Sequence, residues 1–216
     1  MITLKQELER LIKNKPLLEE GLAKRLINLS ALARFFKPQL QKNLYKKRVS
    51  NAALIMSLKR LQSKVKVNFP KSIDVKSDSE LILRNNLIEY TFVTSKNLVK
   101  LQGELLSSPN AQDSYIGISR GTTETTFITS NQLSTILEKL YKNEKLVSKI
   151  DNLCAVTIRF SEKTITTPGV YYTILKALAW ENINLIELVS NYRELTLIFD
   201  KKDIEPAFLS IRSVTS

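Results

Sequence analysis

Histidine is absent from this 216-residue chain, and cysteine occurs once, at Cys154. Without an imidazole there is no Ser-His-Asp or Cys-His nucleophile arrangement and no histidine-containing zinc site. A lone thiol cannot build a thiolate cage, and Cys154 on an apolar strand reads as packing rather than chemistry. The 5 glycines do not cluster into a loop that could cradle phosphate. Carboxylate or lysine chemistry stays formally open, but no nucleophile or carboxylate pair stands out. The reading is a non-enzyme with no metal site and no cofactor.

The residues that do stand out are basic. The chain carries a net charge of +12, and all of it lies in residues 1–69, with 16 Lys and Arg against 4 acids. Residues 70–216 hold 17 of each sign. Between Glu20 and Asp74 there are 13 basic residues and no acid. Such asymmetry marks a domain border near Phe69-Pro70 and points the first part at a polyanion, nucleic acid above all. The alternative is a solvated lysine-rich surface, against which the neutral remainder of the chain counts. Candidate nucleic-acid contacts are Lys46, Lys47, Arg48, Lys59, Arg60 and Lys64.

The elements that would carry them are helices. Leu4, Leu8, Leu11 and Ile12 form one stripe, and Leu18, Leu22 and Leu26 form a second after Pro16. Ser30 is expected to cap a short helix through Phe36 that Pro38 closes. Ser50 should cap a helix over 51–64, with Leu54, Leu58, Leu61 and Val65 inward and Lys59, Arg60 and Lys64 outward. Residues 1–69 thus resemble a helix-turn-helix or winged-helix unit, in which the last helix enters the major groove. The long stretch from Lys37 to Val49 departs from the usual tight turn. A helical dimerisation bundle is the other reading.

Beyond Pro70 the pattern shifts to period 2. Tyr90-Thr91-Phe92-Val93-Thr94-Ser95 recurs 35 positions later as Thr125-Thr126-Phe127-Ile128-Thr129-Ser130, each copy ending on a serine able to cap a following helix. With Tyr115–Ile118 and Leu146–Ile150 the order is β-α-β-β-α-β, a ferredoxin-like split βαβ over residues 70–152. Ser72–Arg84 is an extra strand or a wing of the preceding domain. Residues 153–216 repeat the layout: a strand over 154–160, a loop, a helix from Tyr171 to Trp180, a hairpin around Asn191-Tyr192-Arg193, and a last helix capped by Asp203.

That last segment resembles an ACT domain, in particular the second ACT domain of aspartate kinases. The resemblance rests on Thr167-Pro168-Gly169-Val170, Ile174-Leu175-Lys176-Ala177-Leu178-Ala179, Asn182-Ile183-Asn184-Leu185 and Glu194-Leu195-Thr196-Leu197-Ile198. It implies an α+β chain: a helical domain followed by two ferredoxin-like βαββαβ ACT-type modules. It also implies a small-molecule effector, an amino acid, held by Thr166, Thr167, Pro168, Gly169, Val170 and Asn184. A Pro-Gly turn lets backbone approach a ligand closely, and the helix after it offers N–H groups and a positive dipole end to a carboxylate. The middle segment lacks the Pro-Gly loop. The last one lacks an obvious fourth strand, which Ser72–Arg84 or a partner chain would supply, since paired modules of this kind share strands.

At 43% hydrophobic and 25% charged residues the composition is that of a globular protein. Met1–Arg10 reads as an amphipathic helix rather than a signal peptide, and no apolar run suits a membrane span. With one cysteine, a cytoplasmic setting is expected. The functional expectation is a homodimeric, amino-acid-sensing transcriptional regulator. The alternative is a regulatory adaptor whose helical domain binds another protein.

Overall fold

The computed structural model describes residues 3–13, 15–44, 49–64 and 79–215. The chain divides into two units, Met1–Lys71 and Ser72–Ser216, and each follows from its own apolar pattern.

In the first unit α1 (Leu4–Lys13), α2 (Pro16–Ala23), α3 (Leu29–Asn43) and α4 (Asn51–Gln62) surround one core. Leu8, Ile12, Leu22, Ala33, Phe36, Leu40, Leu54 and Leu58 are its fully enclosed members. Proline 16 opens α2 as expected. Two details of α3 differ from the sequence reading. Its cap is Asn28, whose side chain accepts from the amides of Ser30 (2.9 Å) and Ala31 (3.1 Å), rather than Ser30. Pro38 does not end it. An interior proline costs about 3 kcal/mol, but Leu32, Ala33, Phe36 and Leu40 are all buried, so stopping at Pro38 would strip Leu40 from the stripe. Ser50 caps α4, accepting from the amide of Ala53 at 3.1 Å. Glu7 is buried in this unit, held by Arg10 (2.6 Å) and the Asn43 amide group (2.6 Å).

The second unit runs β1 (Glu80–Val93), α5 (Asn97–Leu106), β2 (Ile116–Arg120), β3 (Glu124–Ser130), α6 (Ser134–Leu140), β4 (Leu146–Arg159), α7 (Glu162–Ile165), α8 (Val170–Trp180), β5 (Glu187–Ser190), β6 (Glu194–Asp200) and α9 (Ile204–Thr215). The strands form one antiparallel sheet in the order β2-β3-β1-β4-β6-β5. Its centre is the pairing of the long strands β1 and β4, which have nearly the same burial profile. Both bend at an asparagine with left-handed backbone, Asn86 (φ 57°) and Asn152 (φ 59°). The register slips beside those bends, between Arg84 and Leu87 and between Leu87 and Glu89. The border expected at residues 152–153 falls inside β4, which is continuous there. Glu80–Arg84 pair with Ala155–Arg159, so the fourth strand of the last segment is the first half of β1, within the Ser72–Arg84 stretch expected to supply it.

The bends divide the sheet into two halves. On one face α5 and α6 cover the first half through Tyr90, Phe92, Phe127 and Tyr141, and α8 and α9 cover the second through Val156, Ile158, Leu197 and Phe199. On the other face the halves meet each other. Leu87, Ile128, Leu153, Ala155 and Ile198 are buried in one cluster with Tyr115, Ile186 and Val189 against it. The Arg84 guanidinium lies 5.2 Å from the Tyr115 ring centre and donates to Thr157 Oγ1 at 2.8 Å, fastening the two layers. Cover on both faces explains why Leu87–Phe92 and Leu153–Ile158 are buried without a break, the polar Glu89, Thr91 and Thr157 included.

Two further helix starts differ from those the sequence suggests. Ser130 does not cap a helix; its hydroxyl accepts from the Tyr115 amide at 3.0 Å. The last helix follows a turn capped by Asp200, which accepts from the Lys202 amide at 3.0 Å, and not by Asp203. In both places a short 3-10 turn separates strand from helix and moves the cap upstream.

Candidate ligand-binding cleft

Three residues separate β1 from α5, but ten separate β4 from α8, and that extra length shapes the cleft. β4 is followed by Phe160, whose amide donates to the Arg193 carbonyl (2.7 Å) while Arg193 Nε donates back to the Phe160 carbonyl (3.1 Å). The strand end is thereby tied to the β5–β6 turn. Ser161 caps α7, accepting from the Thr164 amide at 3.4 Å. The chain then folds back: the Thr167 amide donates to the Thr164 carbonyl at 3.0 Å. Gly169 turns it into α8 with φ 88° and ψ 2°, a left-handed conformation that glycine adopts without penalty. Tyr171 stacks on Phe160 with ring centres 6.3 Å apart, and its hydroxyl meets Ser190 Oγ at 2.7 Å.

These elements bound a cleft of about 560 Å3, lined by Phe160, Thr164, Ile165, Thr167, Gly169, Val170, Tyr171, Tyr172 and Tyr192. A second, more open depression of about 580 Å3 shares Tyr192 and adds Arg159, Asn191, Arg193 and Glu194. There Arg159 is held by Glu80 (3.2 Å) and Glu194 (3.0 Å).

Of the six ligand residues expected from sequence, Thr167, Gly169 and Val170 line the cleft. Thr166 and Pro168 are exposed in the same loop. Both threonine hydroxyls donate to the Lys163 carbonyl, at 3.3 Å from Thr166 and 2.9 Å from Thr167, so they hold the loop together. Asn184 is apart from them. β5 runs parallel to β4, since both are antiparallel to β6, and Asn184 precedes β5 beyond the far end of α8. That end is set by Asn182 at φ 55°, and an 11-residue helix is about 16 Å long. Within one chain Asn184 therefore does not reach the cleft. Phe160, Thr164, Ile165, Tyr171, Tyr172 and Tyr192 line the cleft without having been expected from sequence. Their signal was available in the aromatic pair directly after Gly169-Val170 and in the tyrosine at the tip of the hairpin.

In the first half of the sheet a carboxylate of the chain itself stands beside the start of α5. Glu144 accepts from Ser95 Oγ (2.7 Å) and from Asn97 Nδ2 (2.8 Å), bracing the start of α5. Ser95 in turn accepts from the Leu98 amide at 3.2 Å.

On the helical unit, Lys59, Arg60 and Lys64 are exposed on and just after α4. Lys46, Lys47 and Arg48 lie outside the described residues. Cys154 is fully buried, and burial pushes its thiol up, away from the reactive thiolate. Among the described residues no cluster of three His, Cys, Asp or Glu is placed to hold a metal ion, and no helix is long and apolar enough to cross a membrane.

No protein-family model matches the chain, and no curated protein matches it. Solved structures do. An aspartate kinase from Clostridium acetobutylicum is 16% identical with a TM-score of 0.53, over 63% of this chain and 34% of that one. The ligand-free regulatory subunit of aspartate kinase from Thermus thermophilus is 10% identical with a TM-score of 0.51, over 66% of this chain and 99% of the subunit. An aspartate kinase from Synechocystis is 15% identical with a TM-score of 0.50, over 76% and 31%. The chain thus spans about a third of the two whole kinases and matches nearly all of the regulatory subunit. The likeness shows the fold, an α+β, ACT-like architecture of the kind found in the regulatory part of aspartate kinases.

Proposed function

We propose that this chain is a ligand-responsive regulatory protein without catalytic activity, in which a free amino acid binds the cleft at the start of α8. The observation that carries the reading is the cleft itself. An inserted turn, a left-handed glycine and a helix start face an open space of about 560 Å3, within the range of about 300–1,000 Å3 usual for small-molecule sites. Backbone N–H groups and the positive helix end suit a carboxylate there.

In this reading the two halves of the sheet are two ACT-type modules exchanging strands through β1 and β4, with only the second open to ligand. Modules of this kind associate as a homodimer, and a second copy is the natural source of any contact from Asn184. The basic helical domain carries the response to DNA, with α4 as recognition helix and Lys46, Lys47, Arg48, Lys59, Arg60 and Lys64 on phosphates. A second reading has support in the same unit: Leu26 and Phe35 are 77% and 67% exposed, which suits an adaptor that binds protein.

Thermal shift against the twenty amino acids tests the ligand reading. At ~100 times its dissociation constant, a ligand specific for the folded chain adds about 2.7 kcal/mol. Gly169→Asp is the control: aspartate tolerates left-handed backbone better than most residues, while its charge repels a carboxylate. A shift abolished by Gly169→Asp supports the reading, and no shift with any amino acid overturns it.

A further inference from the structure

The walls of the cleft carry more information than its position. Four of its nine lining residues are aromatic (Phe160, Tyr171, Tyr172 and Tyr192), two are aliphatic (Ile165 and Val170), and no carboxylate, ammonium or guanidinium is among them. A cationic side chain placed there would lose hydration with no carboxylate on the wall to replace it. The cations beside the wall are engaged with it, Lys176 over the Tyr172 ring at 5.6 Å and Arg193 on the Phe160 carbonyl. A small aliphatic side chain would leave most of the ring surface wet.

We infer that the amino acid recognised here has an aromatic side chain, with Tyr192 as its main specificity determinant. This inference rests on the reading of the cleft as an amino-acid site. Three of the rings keep surface to bury: Tyr192 is 76% exposed, Tyr171 43% and Tyr172 39%. Tyr171 is already fixed by its stack on Phe160 and its hydroxyl contact with Ser190, so little ordering remains to oppose binding. Tyr192 stands on the β5–β6 turn, which the paired Phe160–Arg193 bonds hold over the end of β4. A ligand ring between Tyr192 and the Phe160–Tyr171 stack would gain edge-to-face or offset contacts on two sides. Ile165 closes the inner side from α7, the turn of helix for which the first half has no room between β1 and α5.

Isothermal calorimetry on the full chain decides it, using L-phenylalanine, L-tyrosine and L-tryptophan against L-lysine, L-aspartate and L-alanine. The expected result is at least one aromatic amino acid bound ~10-fold or more tighter than the other three. Tyr192→Ala should reduce that margin about tenfold, the weight of one lost ring contact, and Tyr192→Phe should keep it. Because Tyr192 is so exposed, the melting temperature without ligand should hold in both variants. Equal or tighter binding of lysine, aspartate or alanine, lost in Gly169→Asp, overturns the aromatic class and leaves the amino-acid site standing. An aromatic preference that survives Tyr192→Ala undiminished overturns the role of the cleft walls. If none of the six binds but the full thermal-shift panel still shows a Gly169-dependent ligand, the aromatic class alone falls. If that panel is silent too, both readings fall.

Discussion

The fold of the second unit depends on two asparagines, and replacing them gives a quantitative test. Asn86 and Asn152 sit 66 positions apart on strands with matching burial profiles, at φ 57° and 59°. Left-handed backbone costs an ordinary L-residue roughly 1–2 kcal/mol, and asparagine less, because its short amide satisfies the local backbone. Asn152→Ala should therefore destabilise by about 1 kcal/mol. In a unit of 145 residues that corresponds to a fall of roughly 2–4 °C in melting temperature. Asn152→Gly should be near neutral: glycine removes the strain but gains a similar freedom when unfolded. Asn86→Ala should match Asn152→Ala. Both residues line one small polar cleft of about 90 Å3 with Asp151 and Lys201, so the double alanine variant should deviate from additivity by more than ~0.5 kcal/mol. Urea unfolding of the full chain, followed by circular dichroism, measures all four. If Asn152→Gly costs as much as Asn152→Ala, side-chain bonding rather than backbone hand sets the bend, and the argument is refuted.

Other consequences are open to shorter tests. Glu89, 7% exposed with Oε2 unpartnered, is held above the ordinary carboxylate range by burial first and by the Glu187 charge second. Its contribution is complete below the ordinary range and is lost as pH rises through the raised value. Glu89→Gln should therefore raise stability at pH 7 and flatten that slope, and a loss of stability at pH 7 would contradict it. Glu7 behaves in the opposite sense: its bonds to Arg10 first and Asn43 second lower its pKa, so its contribution is present above the ordinary range and is lost as pH falls. Asn43→Ala should cost about 1.5–3 kcal/mol, as expected for a bond to a charged group, and should weaken the protection against acid. For DNA, affinity should fall with salt at a log–log slope of about −0.9 per phosphate neutralised. Replacing Lys59, Arg60 and Lys64 by alanine should flatten the slope by about 0.9 per lost contact. Binding indifferent to salt, or confined to a protein partner, favours the adaptor.

The parts of this fold that local periodicity and turn chemistry determine were legible in the sequence. The stripes of α1 and α4, the Ser50 cap and the strand–helix repeat at Tyr90 and Thr125 follow from side-chain type alone. Pro38 stays inside α3, against its usual role as a helix breaker, because the continuous stripe from Leu32 to Leu40 outweighs one missing hydrogen bond. For the last strand the sequence left a choice between Ser72–Arg84 and a partner chain. It is contributed by Glu80–Arg84, about seventy-five residues before its partner in β4, and long-range pairing leaves no mark in a short window that would decide between the two. The cleft was half legible: the Pro-Gly turn placed the loop, but the walls come from Phe160 at a strand end and Tyr192 on a distant hairpin. Asn184 followed from a resemblance in sequence, and the length of α8 separates it from the loop.

The central claim is that an amino acid binds at the start of α8. Amide chemical shifts of the 15N-labelled full chain, titrated with L-phenylalanine and then with each other amino acid, test it residue by residue. The account predicts saturable shifts centred on Gly169, Val170, Tyr171 and Tyr192, with the start of α5 around Ser95 and Asn97 unmoved. Shifts centred on that second helix start, or no saturable shift with any amino acid, would contradict it.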